Sequence, residues 1–450
     1  MEYNNWKLQA GTVNPDGIPV LDEMDVLVVG GGPAGVAAAV TAGEAGLRTL
    51  LIERYGFCGG SAVAGMSATI CGLYLTKEEH DRMSEPEQIV FGFTDRFKKQ
   101  LLANRGLTAP QLYGNTYVDT HEARIWKMTA DRFLEEAGVK LLYHCSVIDV
   151  VCEGKAVRGV VVSGGMGLGV IYARRIIDAS GDGMIAALAG AKFSFGAGGT
   201  VQNPTVIFKM SHVDTEQFWD YYGADTICHD DFSDRLRDAE KSYGVPFPRK
   251  KIWVFRGVNP TEIIVNATAI HHPSEKLVMT NPEHVTYAEI ASRKQMEDYA
   301  RFFKEHIPGC RDAFIGEAAC EVGVRQTRSI LGRYTLTNED VECCRKFEDG
   351  IVKSSWPIEL HKGETPKLHW LCGNYYEIPF RTLVPQGIEN VLIAGRCLSA
   401  EHEALASARV TAQCFEYGRG AAIGAALSIE SGCTVSQIDG REVRERMEYL

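Results

Sequence analysis

Between residues 25 and 53 the polarity of the chain changes in a fixed order: "DVLVVGGGPAGVAAAVTAGEAGLRTLLIE". Val26 to Val29 are apolar and β-branched, the pattern of a strand buried on both faces. Small residues from Val36 to Ala45 predict a closely packed helix that stops at Gly46. A second apolar run, Thr49 to Ile52, predicts a strand ending at Glu53. From 142 to 191 apolar and polar positions alternate between short turns, predicting a small meander. Its last strand, Arg175 to Ala179, runs into Ser180-Gly181-Asp182-Gly183 and an Ala-rich helix. Near the C-terminus Val391 to Ala394 predict a strand ending at Gly395. A long helix follows, with small residues at Ala412, Gly418, Ala421, Ala422 and Gly424 suited to close packing.

The first of these units carries chemistry. Gly30, Gly32 and Gly35 give G-x-G-x-x-G between a strand and a helix. The first glycine permits the tight turn, the second lets backbone approach a pyrophosphate, and the third lets the helix pack close. The helix N-terminus then faces phosphate charge. Glu53, 23 residues after Gly30, can accept hydrogen bonds from ribose hydroxyls and disfavours a 2′-phosphate. NAD and FAD both fit this unit. The small-residue stretch after Glu53, "RYGFCGGSAVAGMSATICG", is a loop that could wrap the larger of the two.

With 450 residues the chain exceeds one ordinary core, so two or three domains are expected. A net charge of −11 argues against a general nucleic-acid or anionic-membrane surface. The one dense basic cluster, Arg249, Lys250 and Lys251, reads as a solvated turn. "MEYNNWKLQAGTVNPDG" lacks the cationic start and apolar core of a signal peptide, and no run of about 18 apolar residues predicts a membrane span. The 13 cysteines contain no C-x-x-C and read as reduced thiols in a cytosol, with no metal or iron–sulfur site.

Taken in order, "VVGGGPAGVAAA", "ERYGFCGGSAVAG", "DASGDGMIAALAGA", "GVRQTRSILGRYTLT" and "YEIPFRTLVPQGIENVLIAGRCLSAEHEALASARV" span about residues 22 to 428. Together they resemble the FAD-dependent oxidoreductases of the glutathione-reductase-like superfamily. The likeness is to the bacterial branch related to fumarate reductase and heterodisulfide reductase flavoproteins. The resemblance implies an α/β fold: a discontinuous Rossmann-like FAD-binding domain (22–75, 115–199 and 371–450) with a mixed α+β substrate or cap domain (76–114 and 200–370). It implies FAD contacts from Gly30, Gly32, Pro33, Ala34 and Gly35, from Glu53 and Arg54, and from Gly59, Gly60 and Ser61. Val147 would touch the adenine through its backbone. Ala179, Gly181, Asp182, Gly395 and Arg396 would lie along the phosphates and ribityl chain, and Arg409 and Val410 near the flavin ring.

Within the cap, "QFWDYYG", "KIWVFRG", "EIIVNAT" and "SRKQMEDYARFFKEHIPG" predict a mixed sheet with helices. Phe218, Trp219, Tyr221 and Tyr222 read as core or helix face rather than a substrate cage. Arg325 and Arg381 are candidates to bind a substrate carboxylate or stabilise reduced flavin, and His402 to move a proton. For Arg325 and Arg328 a purely structural role tying domains together stays open.

Three reaction classes lose support. Disulfide reductases of the superfamily carry C-x-x-x-x-C beside the flavin, but the next cysteine after Cys58 is Cys71. Aromatic hydroxylases carry a Gly-Asp-Ala-Ala-His type motif where this chain has "AGRCLSAEHEA". Residues 58 to 72 hold no histidine, so FAD is expected to be noncovalent. What remains is hydride transfer between a small organic substrate and the flavin. The alternative is a flavoprotein subunit relaying electrons to a partner protein, and homo-oligomerisation stays open. Cys58 is expected to be a small packed residue beside the cofactor rather than a redox thiol.

Overall fold

The first β-α-β unit forms as the apolar pattern predicts. The computed structural model describes residues 11–272 and 277–448; residues 1–10, the start of the stretch read as lacking a signal peptide, lie outside them. A seven-stranded sheet organises the chain. Its strands are β1 (Val20–Val29), β2 (Thr49–Ile52), β3 (Lys140–Leu142), β4 (Ser146–Glu153), β5 (Ala156–Gly164), β6 (Gly167–Asp178) and β7 (Val391–Ile393). β3, β2, β1, β6 and β7 run parallel to one another, with Val29 opposite Ile52 on one side and Asp178 on the other. β4, β5 and β6 form the antiparallel meander. β1 starts earlier than its apolar run because Val20–Met24 pair with the meander end of β6, where half-exposed residues are tolerated.

Burial on both faces explains why Val26–Val29 show no alternation. Val26 and Val28 pack under the helices Pro33–Glu44 and Thr411–Glu430, while Leu27 and Val29 pack under the meander and the helix Met184–Leu188. The helix Phe93–Ala103, expected in the cap, belongs to the first of these cores: Phe93 and Phe97 lie 5.6 and 5.0 Å from Phe415 in ring-centroid distance. Ile351, Val352 and Ile358 join the same core. An amphipathic helix settles wherever its apolar face is best covered, which charge-rich flanking sequence does not reveal.

A second, four-stranded antiparallel sheet is built from 208–211, 253–256, 263–266 and 314–318. One face, with Phe208, Met210, Val254 and Val265, packs beneath the helices Thr215–Tyr222, Asp230–Tyr243 and Pro282–His306. Phe218, Trp219 and Tyr222 are buried in that core. The other face, with Trp253, Phe255 and Ile264, forms a smaller aromatic cluster with Tyr113 and Trp356. Among the described residues no helix is long and apolar enough to cross a membrane.

The basic cluster at 249–251 is not a solvated turn. Arg249 and Lys250 are 2% and 3% exposed. Arg249 donates to Asn266 Oδ1 at 2.9 Å and lies 4.1 Å over the Trp253 ring, while Lys250 pairs with Glu240. Trp253–Phe255, which follow them, are buried, so the charges enter the fold with their partners.

Candidate active site

The carboxyl ends of β1, β2, β6 and β7 open into one large cavity, the position where open parallel sheets take ligands. Its empty volume is about 1440 Å³, part of it open to solvent. At one end lie the turn after β1 and the start of the helix Pro33–Glu44. Gly30 sits at φ +100°, and a side chain there would meet Ala179 O at 2.5 Å. Pro33 opens the helix with no side-chain cap on Gly32, so its first N–H groups remain for a ligand. Glu53 closes this end: its Oε2 accepts from Gly31 N–H at 2.6 Å and its Oε1 from Tyr55 N–H at 2.9 Å.

Most of the motif residues come together on this wall. Gly30, Gly32, Pro33, Ala34, Glu53 and Arg54 line it, as do Gly60, Ser61, Ala179, Gly181 and Asp182. Gly395, Arg396, Arg409, Val410 and Arg325 complete the set. Arg396 donates to Asp182 Oδ1 at 2.6 Å and approaches Ser61 Oγ at 3.5 Å, and its buried Nε has no partner among the described residues. Arg54 pairs with Glu321, which also accepts a hydrogen bond from the Tyr55 hydroxyl. At the far side the helix Thr411–Glu430 begins at the wall, uncapped by the side chain of Val410.

Other predicted residues stand elsewhere. Gly35 is off the wall because it packs the helix onto β1; a Cβ there would fall 1.7 Å from Gly30 O. Gly59 links two loops, donating to Gly31 O at 2.8 Å. Val147 pairs with Val162 inside the meander and does not reach the wall. Arg381 is not brought to the cavity: Asp349 holds it through bonds of 2.8 and 3.1 Å, with Tyr334 beneath its guanidinium. His402 is also off the wall, its Nδ1 facing Gln326 Oε1 at 2.8 Å. Arg328 lies over Phe193 and Phe195 and donates to Asp182 O, a structural tie.

The end of the cavity opposite Glu53 adds four residues that the sequence reading does not name to two that it does. Tyr113, Trp356, Glu359 and His361 line it beside Arg325 and Arg409. His361 Nε2 lies 2.9 Å from Glu359 Oε1, and the Tyr113 hydroxyl donates to the same oxygen at 2.7 Å. Burial alone would raise the pKa of Glu359, but His361, Arg409 and Tyr113 outweigh it and hold the carboxyl well below the usual range. Burial, with Arg325 adding to it, drives His361 well below its ordinary value, so its ring is neutral. With Nε2–H directed at the carboxylate, Nδ1 carries the lone pair. That buried Nδ1 has no partner among the described residues. The signal that could have found this pair is "IELH": on a strand, residues two apart share a face.

Cys58 is fully buried, 3.5 Å from the Tyr143 hydroxyl, and burial pushes its thiol up to about 12. The thiols that do line the cavity are Cys71 and Cys414, which sequence spacing had not singled out.

A glycine turn, two uncapped helix starts and an arginine with a spare buried donor fit an elongated cofactor bearing a pyrophosphate. A sequence-family model described as "FAD dependent oxidoreductase" matches residues 25–447. Curated relatives match over short segments. Urocanate reductase of Eggerthella lenta is 42% identical over 65 residues, 14% of this chain and 10% of that protein. Dihydrolipoyl dehydrogenase of Trypanosoma brucei brucei is 39% identical over 64 residues, 14% of this chain and 13% of that protein. These matches thus span little more than a tenth of the relatives' own length. Among solved structures, a geranylgeranyl bacteriochlorophyll reductase-like protein from Thermoplasma acidophilum superposes with a TM-score of 0.49 at 16% identity, covering 95% of this chain and 82% of that one. With the family match running from β1 to the last helix, the chain belongs to the FAD dependent oxidoreductase family, and its cofactor is FAD.

Proposed function

We propose that the protein transfers a hydride between a small organic substrate and noncovalently bound FAD. One observation carries this reading: the dinucleotide cradle and the buried Glu359–His361 pair open into the same cavity. On this reading Gly30, Gly32, Glu53, Ser61 and Arg396 hold FAD along the parallel strand ends. Residues 22–75, 115–199 and 371–450 form its binding domain, with the helix Phe93–Ala103 and residues 350–360 packed onto it. FAD, when bound, supplies the hydride acceptor or donor.

The chain's own residues supply the proton chemistry. When a substrate alcohol or amine is oxidised, its carbon gives up a hydride and its oxygen or nitrogen gives up a proton. His361 Nδ1 accepts that proton, and the Glu359 carboxylate stabilises the resulting imidazolium. In reduction the same proton returns. This role passes from His402, which the cavity does not reach, to His361.

The test is anaerobic mixing of the purified yellow protein with a panel of small alcohols, amines and acids. At least one compound should bleach or reoxidise the flavin, and His361→Gln should slow that step by about 100-fold or more. If no small molecule changes the flavin's redox state but a protein partner does, the electron-relay alternative replaces this reading.

A further inference from the structure

We propose that the end of the cavity around Arg325 and Arg409 is a carboxylate-binding subsite, so that the substrate is a small organic acid. The inference rests on the hydride-transfer reading for its setting, and names the substrate class.

Charge balance comes first. Arg249, Arg325 and Arg409 bring three guanidiniums into one another's field, and Glu359 is the carboxylate that faces them. Three guanidiniums thus face one carboxylate. The cluster is little exposed: Arg249 is 2%, Arg325 8% and Glu359 6% exposed, and Arg409 is half-buried. Burial and the neighbouring guanidiniums of Arg249 and Arg409 push Arg325 well below its ordinary pKa. Buried cations on this scale are stable when an anion joins them.

Hydrogen-bond supply points the same way. Arg325 Nη1 donates to Asn203 O at 2.6 Å, which fixes the guanidinium plane. Arg409 Nη2 donates to Gln202 Oε1 at 3.1 Å, which fixes the second. Arg409 Nε is a buried donor with no partner among the described residues, and Gln202, 3% exposed, stands behind Arg409 and off the cavity wall. Two guanidiniums held on one cavity wall match the planar, two-oxygen acceptor of a carboxylate.

The walls restrict the rest of the molecule. Phe255, Trp356, Ile207 and Tyr113 line the cavity beside the arginines. Tyr113 and Trp356 are 4.9 Å apart in ring-centroid distance. An acid with a compact apolar body satisfies both the charge and the surface.

The experiment uses the FAD-loaded protein and unreactive probes, so it does not depend on turnover. Acetate and benzoate are titrated while the visible flavin spectrum and the melting temperature are recorded, with acetamide, benzamide and sodium sulfate as controls. Saturable perturbation by the carboxylates, absent with the amides and weaker with sulfate, is the expected result. Arg325→Gln should weaken carboxylate binding by about 30-fold or more, and Arg325→Lys by less. Gln202→Glu, nearly isosteric, places a competing carboxylate in the cluster and should weaken acetate binding to a similar degree. Equal effects of acid and amide, or sulfate binding as tightly as acetate, would overturn the proposal. So would unchanged acetate affinity in both Arg325→Gln and Gln202→Glu. Loss of the acid subsite while a neutral alcohol still bleaches the flavin would remove this inference and leave hydride transfer standing; a flavin inert to every small molecule would remove the latter.

Discussion

The carboxylate of Glu53 accepts a 2.6 Å hydrogen bond from the backbone N–H of Gly31, so the acidic residue that ends β2 also fixes the glycine turn that ends β1. A carboxylate has about four lone-pair sites, and Gly31 and Tyr55 use two, leaving two that can meet ribose hydroxyls. Burial raises the pKa of Glu53, and the two N–H groups oppose that. Glu53→Gln replaces one acceptor oxygen by a donor and leaves a backbone N–H facing an amide. Hydrogen bonds to charged groups contribute about 1.5–3 kcal/mol, so FAD should bind about 10- to 100-fold more weakly. Equilibrium titration of apoprotein with FAD measures this; unchanged affinity would show that the turn holds without its carboxylate.

Close helix packing supplies a second prediction. A Cβ on Gly418 would lie 1.9 Å from Ala34 O, where the helix Thr411–Glu430 crosses the helix Pro33–Glu44. Neither backbone can retreat, because both helices are buried against β1. Gly418→Ala should cost several kcal/mol, as overpacked cores do, and give little FAD-loaded protein. Gly165, with open space around it in the β5–β6 turn, is the control: Gly165→Ala should shift the unfolding midpoint by no more than about 0.5 kcal/mol.

These two sites also show what was legible. The β-α-β unit could be read because its signals are local: four buried residues, three glycines at fixed spacing, and an acidic residue 23 positions on. The strand Thr49–Ile52 forms at the predicted residues, and the helix only gains its first turn from Pro33. The substrate end was legible only in part: Arg325 and Arg409 stand in motif stretches, but Tyr113, Glu359 and His361 come from distant segments with no common spacing. Only the meeting of the aromatic face of the second sheet with the parallel strand ends makes them neighbours. Arg381 misled for the complementary reason. It sits in a motif-rich stretch, but Asp349, 32 residues upstream, claims it.

Cys58 is expected to be dispensable for chemistry. Its thiol, raised to about 12 by burial, is almost wholly protonated at neutral pH and has no second thiol at disulfide-reductase spacing. Cys58→Ala should retain FAD and flavin reduction within about twofold and lose about 1 kcal/mol of stability from the vacated volume. Iodoacetamide should leave Cys58 unlabelled in the folded protein. Loss of flavin reduction with FAD still bound would restore a catalytic thiol.

His121 should make the fold sensitive to acid. It is 2% exposed, its ring centroid lies 4.3 Å from that of Trp126, and burial lowers its pKa from 6.5 to about 3. Between those values the unfolded chain binds a proton on this ring that the folded chain refuses. Its contribution is therefore complete above pH 6.5 and lost as pH falls toward 3, at about 1.4 kcal/mol per unit. Raised carboxylates such as Asp119 and Asp178 act with opposite sign, but they are common to a variant and cancel in the comparison. Urea unfolding at pH 7.5, 6 and 4.5 should show a shallower loss for His121→Phe than for the natural protein. Parallel slopes would mean that His121 titrates normally.

Arg381 and Arg325 should separate structure from function. Arg381 forms a two-bond pair with Asp349 and covers Tyr334, with its side chain 44% exposed. Solvent screens a pair this open, so its own attraction is modest. Asp349, with a side chain 9% exposed, would nevertheless be left with an unpaired carboxylate if the guanidinium were removed. Arg381→Ala should therefore lower stability by about 1–2 kcal/mol, while Arg381→Lys recovers part of it. Flavin reduction by substrate should stay within about twofold of the natural protein in both variants, because the guanidinium does not reach the cavity wall. Arg325→Lys should do the reverse. The charge survives, but the planar fork that donates to Asn203 O does not, so KM should rise with little change in the unfolding midpoint. Denaturant melts run beside steady-state kinetics on the four variants, Arg325→Gln included, read both axes at once. A rise in KM for Arg381→Ala, or none for Arg325→Lys, would reverse the two assignments.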